Sequence, residues 1–121
     1  MRDEKIKIYN GTIITPYRLI KNGTVIITNG IITGVMEGNA DVADAVEIDA
    51  KGKYIAPGFI DMHIHGGGGY DFMDGDVNSF LKIAETHVKY GTTAMCPTTL
   101  TSELSNLLQT LDNYEEANKL N

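Results

Sequence analysis

The sequence predicts an α/β chain in two parts: a β-rich segment over residues 1–55, then strand, helix, strand and helix across residues 56–121. Three observations carry that expectation. Runs of β-branched residues fill the first part, interrupted by Asn-Gly pairs. Pro57-Gly58 then breaks the pattern, as proline and glycine punctuate regular structure. Beyond it, two apolar stripes at helical spacing alternate with short apolar runs.

In the first part, Ile6 and Ile8 alternate with Lys5, Lys7 and Tyr9, as on a strand with two unlike faces. Asn10-Gly11, Asn22-Gly23 and Asn29-Gly30 are expected as hairpin turns, because both residue types tolerate positive φ. Strands are expected over residues 12–15, 24–28, 31–36 and 46–49. Residues 37–45 read as an acidic loop and 51–53 as a turn.

In the second part, a strand ends in His63-Ile64-His65 and runs into a glycine loop over residues 66–75. A helix is expected over 76–90, capped by Asp74 or Asp76 and stopped at Gly91. Val77, Phe80, Leu81, Ala84 and Val88 form its apolar stripe. Residues 92–97 read as a second strand. Ser102 is expected to cap a second helix, with Glu103 in its first turn and Leu104, Leu107, Leu108, Leu111 and Tyr114 on one face. Such alternation implies parallel strands with crossover helices. Two such units do not close a core, whereas a complete (β/α)8 barrel takes about 250 residues. The expectation is therefore the first two βα units of a TIM-like barrel, left incomplete.

Composition narrows the function. The chain has 121 residues, 42% of them hydrophobic, and a net charge of -6. Its ten basic residues are scattered, which argues against nucleic-acid binding by phosphate neutralisation. An anionic substrate in a locally basic site remains compatible. Cys96 is the only cysteine, so no internal disulfide forms, and a small buried residue is its expected role. The first residues lead into alternation and not an apolar run, and no stretch approaches about 20 apolar residues. A soluble, cytoplasmic protein without membrane partners is expected.

The chemistry centres on the strand before the glycines. Asp61, His63 and His65 share one side of it, and Ile60, Met62 and Ile64 the other. Two residues of strand advance roughly 6.5 Å. Imidazoles so placed can lean toward one ion or toward two close together. Neutral imidazole suits zinc and similar divalent ions, and His63 and His65 are the candidate metal ligands. The bland alternative is a hydrogen-bonded pair. A catalytic zinc typically has three protein ligands, so further ligands are required. Asp61 lies deeper and is expected to bond backbone or a neighbouring strand. His87 reads as a partly buried or surface histidine. Gly66 to Gly69 lack a following Gly-Lys-Ser/Thr, so they are no P-loop. They let substrate approach closely or cradle an anion with backbone N–H groups. Thr98 and Thr99 line the same mouth or serve turn and cap chemistry.

The runs APGFIDMHIHGGGGYDFMDG and YGTTAMCPTTLTS resemble the N-terminal part of the N-acetylglucosamine-6-phosphate deacetylases, a family of the amidohydrolase superfamily. GTVIITNGIITGV and EIDAKGKYIAPG resemble that family's leading β-segment. The resemblance implies a distorted (β/α)8 barrel beside a small β-sandwich built from both chain ends. It implies hydrolysis of the acetamide of N-acetylglucosamine 6-phosphate, one or two divalent ions such as zinc or iron, and a homodimer. His63 and His65 match the family's metal-binding His-x-His. The family's remaining ligands, catalytic aspartate and phosphate-binding residues fall after the part represented here, so the resemblance assigns no catalytic residue. It also implies that this chain alone is inactive. Two other readings are compatible with the sequence: another amidohydrolase of dihydroorotase, hydantoinase or deaminase type, and a non-catalytic fragment that self-associates.

Overall fold

The computed structural model describes residues 4–120. The chain divides into two compact units, with the boundary between Pro57 and Gly58.

The first unit is one mixed sheet. Its strands are β1 (Lys5–Ile14), β2 (Leu19–Thr28), β3 (Ile31–Glu37), β4 (Ala45–Asp49) and β5 (Tyr54–Ile55). The order is β3-β2-β1-β4, and β5 also pairs with β1. β2 runs antiparallel to both β1 and β3. β4 and β5 lie parallel to the two halves of β1.

Only one of the three Asn-Gly pairs makes a hairpin. Asn29 and Gly30, at φ 51° and 79°, turn β2 into β3. The other two pairs lie inside strands. Ile8 faces Val25, Gly11 faces Gly23, and Ile13 faces Ile20. β1 therefore takes an extra residue between Ile8 and Gly11, and β2 takes one between Ile20 and Gly23. The two bulges compensate, and the register ends as it began. Asn10 and Asn22 carry them at φ 57° and 51°. A bulge asks for the same left-handed residue as a turn, so the local signal was real and its reading was not.

The facing glycines serve packing as well. A Cβ on Gly11 would lie 2.6 Å from Ile55 Cδ1, and one on Gly23 would overlap Ile13. Ile13, Ile20 and Val25 form the core here, with Ile8, Ile27 and Ile55 against them. Gly23→Ala is expected to cost about 1–3 kcal/mol through overpacking, read from urea denaturation.

The second unit contains β6 (Phe59–Ile64), β7 (Gly66–Gly67), β8 (Tyr70–Asp71), α1 (Val77–Val88), β9 (Thr92–Pro97) and α2 (Leu104–Leu120). β6 and β9 pair in parallel, with Phe59 beside Thr92 and Ile64 beside Pro97. The glycine loop is more ordered than expected. β7 and β8 form a small hairpin whose turn uses Gly68 and Gly69 at φ 64° and 89°.

Asp76 caps α1, accepting the Ser79 N–H and hydroxyl at 2.9 Å each. Those bonds hold its carboxyl below the ordinary 3.8. The cap's contribution is present above the unfolded-state value and is lost as pH falls through the depressed folded one. Asp76→Ala is expected to lower the melting temperature at neutral pH, with the difference from wild type vanishing in strong acid.

The buried face of α1 is rotated from the expected stripe. Ser79, Phe80 and Ile83 are buried, Val77 and Leu81 flank the core, and Val88 is exposed. α1 packs on the β7–β8 hairpin as well as on β9, which draws Ile83 inward. In α2, Ser102 does not cap the backbone: its hydroxyl accepts from the Asn106 side chain, and the Glu103 carbonyl takes the first helical N–H groups. The buried residues are Thr110 and Ala117, whereas Leu104, Leu108, Leu111 and Tyr114 are exposed. The core of this unit is Ile64, Phe72, Phe80, Ile83 and Ala117. Ile60 and Met62, expected on the apolar side of β6 with Ile64, are exposed.

Candidate metal centre

β6 delivers His63 and His65 to its C-terminal end on the side opposite buried Ile64. Their rings lean together. The two Nε2 atoms lie 3.2 Å apart, with ring planes at 80°. Zinc–nitrogen bonds of about 2.0–2.1 Å at a tetrahedral angle would separate two ligand nitrogens by about 3.3 Å. The pair thus fits adjacent positions on one ion. The same spacing fits a hydrogen bond between the rings. Among the described residues, no third histidine, cysteine, aspartate or glutamate completes a metal-binding group with them.

The surroundings orient His65 more than His63. The Thr98 carbonyl accepts from His65 Nδ1 at 2.9 Å, and the Phe72 N–H donates to the His65 carbonyl at 3.0 Å. Asp61 accepts the His63 N–H at 3.2 Å, a backbone bond as its depth on the strand suggested. His87 Nε2 donates to the Gly66 carbonyl at 3.3 Å, so α1 holds the hairpin that follows His65. A Cβ on Gly67 would overlap that imidazole, and one on Gly66 would overlap the Tyr70 carbonyl. Gly66→Ala is expected to open the hairpin, seen as faster amide exchange at Phe72, whose N–H bond to His65 depends on it.

Cys96 corrects the expectation of a buried residue: it is exposed. Its neighbour Met95 packs against the core, and strand alternation turns Cys96 to the other side. Thr99 is also exposed, whereas Thr98 is half-buried and carries more of the architecture than turn chemistry requires. Its N–H donates to the Ile64 carbonyl at 2.8 Å, and its hydroxyl accepts the Ile64 N–H at 3.3 Å. The sequence signal was its place just past a strand end. Its partners lie 33 and 34 residues away.

Residues 46–104 match the sequence model of the amidohydrolase family. N-acetylglucosamine-6-phosphate deacetylase from Bacillus subtilis is 36% identical over 114 residues, which are 93% of this chain and 29% of that protein. A dihydroorotase from Caldanaerobacter subterraneus is 46% identical over 61 residues, 50% of this chain and 14% of that protein. The crystal structure of N-acetylglucosamine-6-phosphate deacetylase from Pasteurella multocida superposes with a TM-score of 0.85 at 24% identity, over 95% of this chain and 31% of that one. The chain therefore spans less than a third of the length of these relatives. Its likeness to the amidohydrolase family covers residues 46–104, and its likeness to the N-acetylglucosamine-6-phosphate deacetylases extends over nearly its whole length.

Proposed function

We propose that the chain forms part of a metal-dependent hydrolase that deacetylates N-acetylglucosamine 6-phosphate to glucosamine 6-phosphate and acetate. The convergence of His63 and His65 carries this reading, set in a sequence alignable with a deacetylase over 93% of its length. In this reading, β6, α1, β9 and α2 are the first two βα units of a (β/α)8 barrel. The five-stranded sheet is part of a small β-sandwich, and the complete protein is a cytoplasmic homodimer.

His63 and His65 would hold a divalent ion such as zinc or iron, one or two per complete site. Such an ion lowers the pKa of water toward about 7 and polarises an amide carbonyl. His65 presents Nε2 because its other nitrogen is tied to Thr98. Gly66 to Gly69, the glycines of the hairpin that follows His65, offer backbone without side-chain bulk, so a sugar ring can come close.

The test is acetate release from N-acetylglucosamine 6-phosphate by the chain alone and by the protein read continuously with any coding sequence after Asn121. Metal-dependent release in the longer form, lost on His63→Ala plus His65→Ala, supports the reading. Unchanged release and metal content in that variant refute the assigned roles. The 46% identity to a dihydroorotase over half the chain favours a second reading, hydrolysis of a cyclic amide. Turnover of dihydroorotate in preference to the amino-sugar phosphate would select it.

A further inference from the structure

Thr98 joins the ends of β6 and β9 through both its backbone and its side chain. Its hydroxyl accepts the Ile64 N–H and donates to the Cys96 carbonyl at 3.1 Å, while its N–H donates to the Ile64 carbonyl. Its own carbonyl receives His65 Nδ1. A carbonyl oxygen only accepts, so Nδ1 carries the proton of a neutral His65, and Nε2 keeps a lone pair. That lone pair faces His63 Nε2 at 3.2 Å. In a neutral pair the proton between them then belongs to His63, and the two rings are opposite tautomers.

We propose that Thr98 is a positioning residue that fixes His65 as the Nδ1–H tautomer and aims its Nε2 at the ion. The proposal rests on the reading of His63 and His65 as ligands. Ion binding then requires one rearrangement: His63 releases its Nε2 proton to solvent and takes a proton from solvent on Nδ1. The ring stays neutral, and no rearrangement is asked of His65. The threonine side chain matters because it sets the carbonyl's place. Without the hydroxyl, the Ile64 N–H and the Cys96 carbonyl each lose a partner, and the segment bearing the Thr98 carbonyl loosens. Partners of this kind orient metal-binding histidines, and their loss weakens metal binding about 10–100-fold.

The experiment uses the 121-residue chain with 15N-labelled histidine, at a pH where both rings are neutral. Long-range 1H–15N spectra should show His65 protonated on Nδ1 and His63 on Nε2. Thr98→Val should give mixed tautomers at His65 and zinc binding at least about tenfold weaker in chelator competition. Thr98→Ser should restore both. A folded Thr98→Val chain with the wild-type tautomer and zinc affinity overturns the proposal. So does His65 protonated on Nε2 in the wild type, an outcome that needs no variant to fold. Opposite tautomers that Thr98→Val scrambles, in a chain blind to zinc, would uphold the hold on His65 and remove the ligand reading instead.

Discussion

Replacing His63 and His65 together by alanine is expected to abolish zinc binding by the chain while leaving its fold intact. The two Nε2 atoms already stand 3.2 Å apart, so an ion meets a preformed pair and not two independent side chains. Loss of an outer partner alone costs about 10–100-fold in affinity, so losing either ligand should cost at least about 100-fold. The fold should tolerate the change. His63 is exposed, and the pair gives up the bond between its rings and the one from His65 to the Thr98 carbonyl, each worth about 1 kcal/mol. Calorimetric titration with zinc and a urea melt on the same sample separate the effects. Zinc affinity unchanged in the double variant would remove the pair from the metal centre, and collapse of the melt would show that the rings serve packing.

The candidate site was legible because strand alternation is local: once the run ending in His63-Ile64-His65 read as a strand, His63 and His65 had to share a side. Their convergence was not legible. It depends on where β9 ends beside β6, a register that sets Ile64 by Pro97 and so brings the Thr98 carbonyl to His65. The same limit explains the misread turns. Asn10 and Asn22 do adopt positive φ, yet pairing between two ten-residue strands decides that they bulge. Ile83 and Val88 exchanged roles because a helix pattern gives the width of the buried stripe, and the neighbours decide its rotation. The leucines of α2 are its most hydrophobic residues, but Thr110 and Ala117 are the buried ones, because small side chains allow close approach.

The buried Lys7 gives a second large and asymmetric effect. Its side chain is 3% exposed and its Nζ lies 2.8 Å from Glu47, whose side chain is 50% exposed. Lys7 and Glu47 are register partners on parallel strands β1 and β4. Glu47→Ala leaves the ammonium buried with, among the described residues, the Tyr9 ring, 4.9 Å away at its centroid, as charge-accepting company. Breaking a fully buried pair costs about 3–5 kcal/mol. Water reaching the half-exposed end should reduce that to about 2 kcal/mol. Lys7→Met keeps an apolar stem of similar length and leaves Glu47 half in water, where a lone carboxylate is tolerated. Its cost should stay below about 1.5 kcal/mol. The double variant should recover most of the loss of Glu47→Ala, because it removes the stranded charge. Urea midpoints of the three variants test the order. If Lys7→Met proves the more damaging single change, the lysine stem and not the ion pair is what secures β4 against β1.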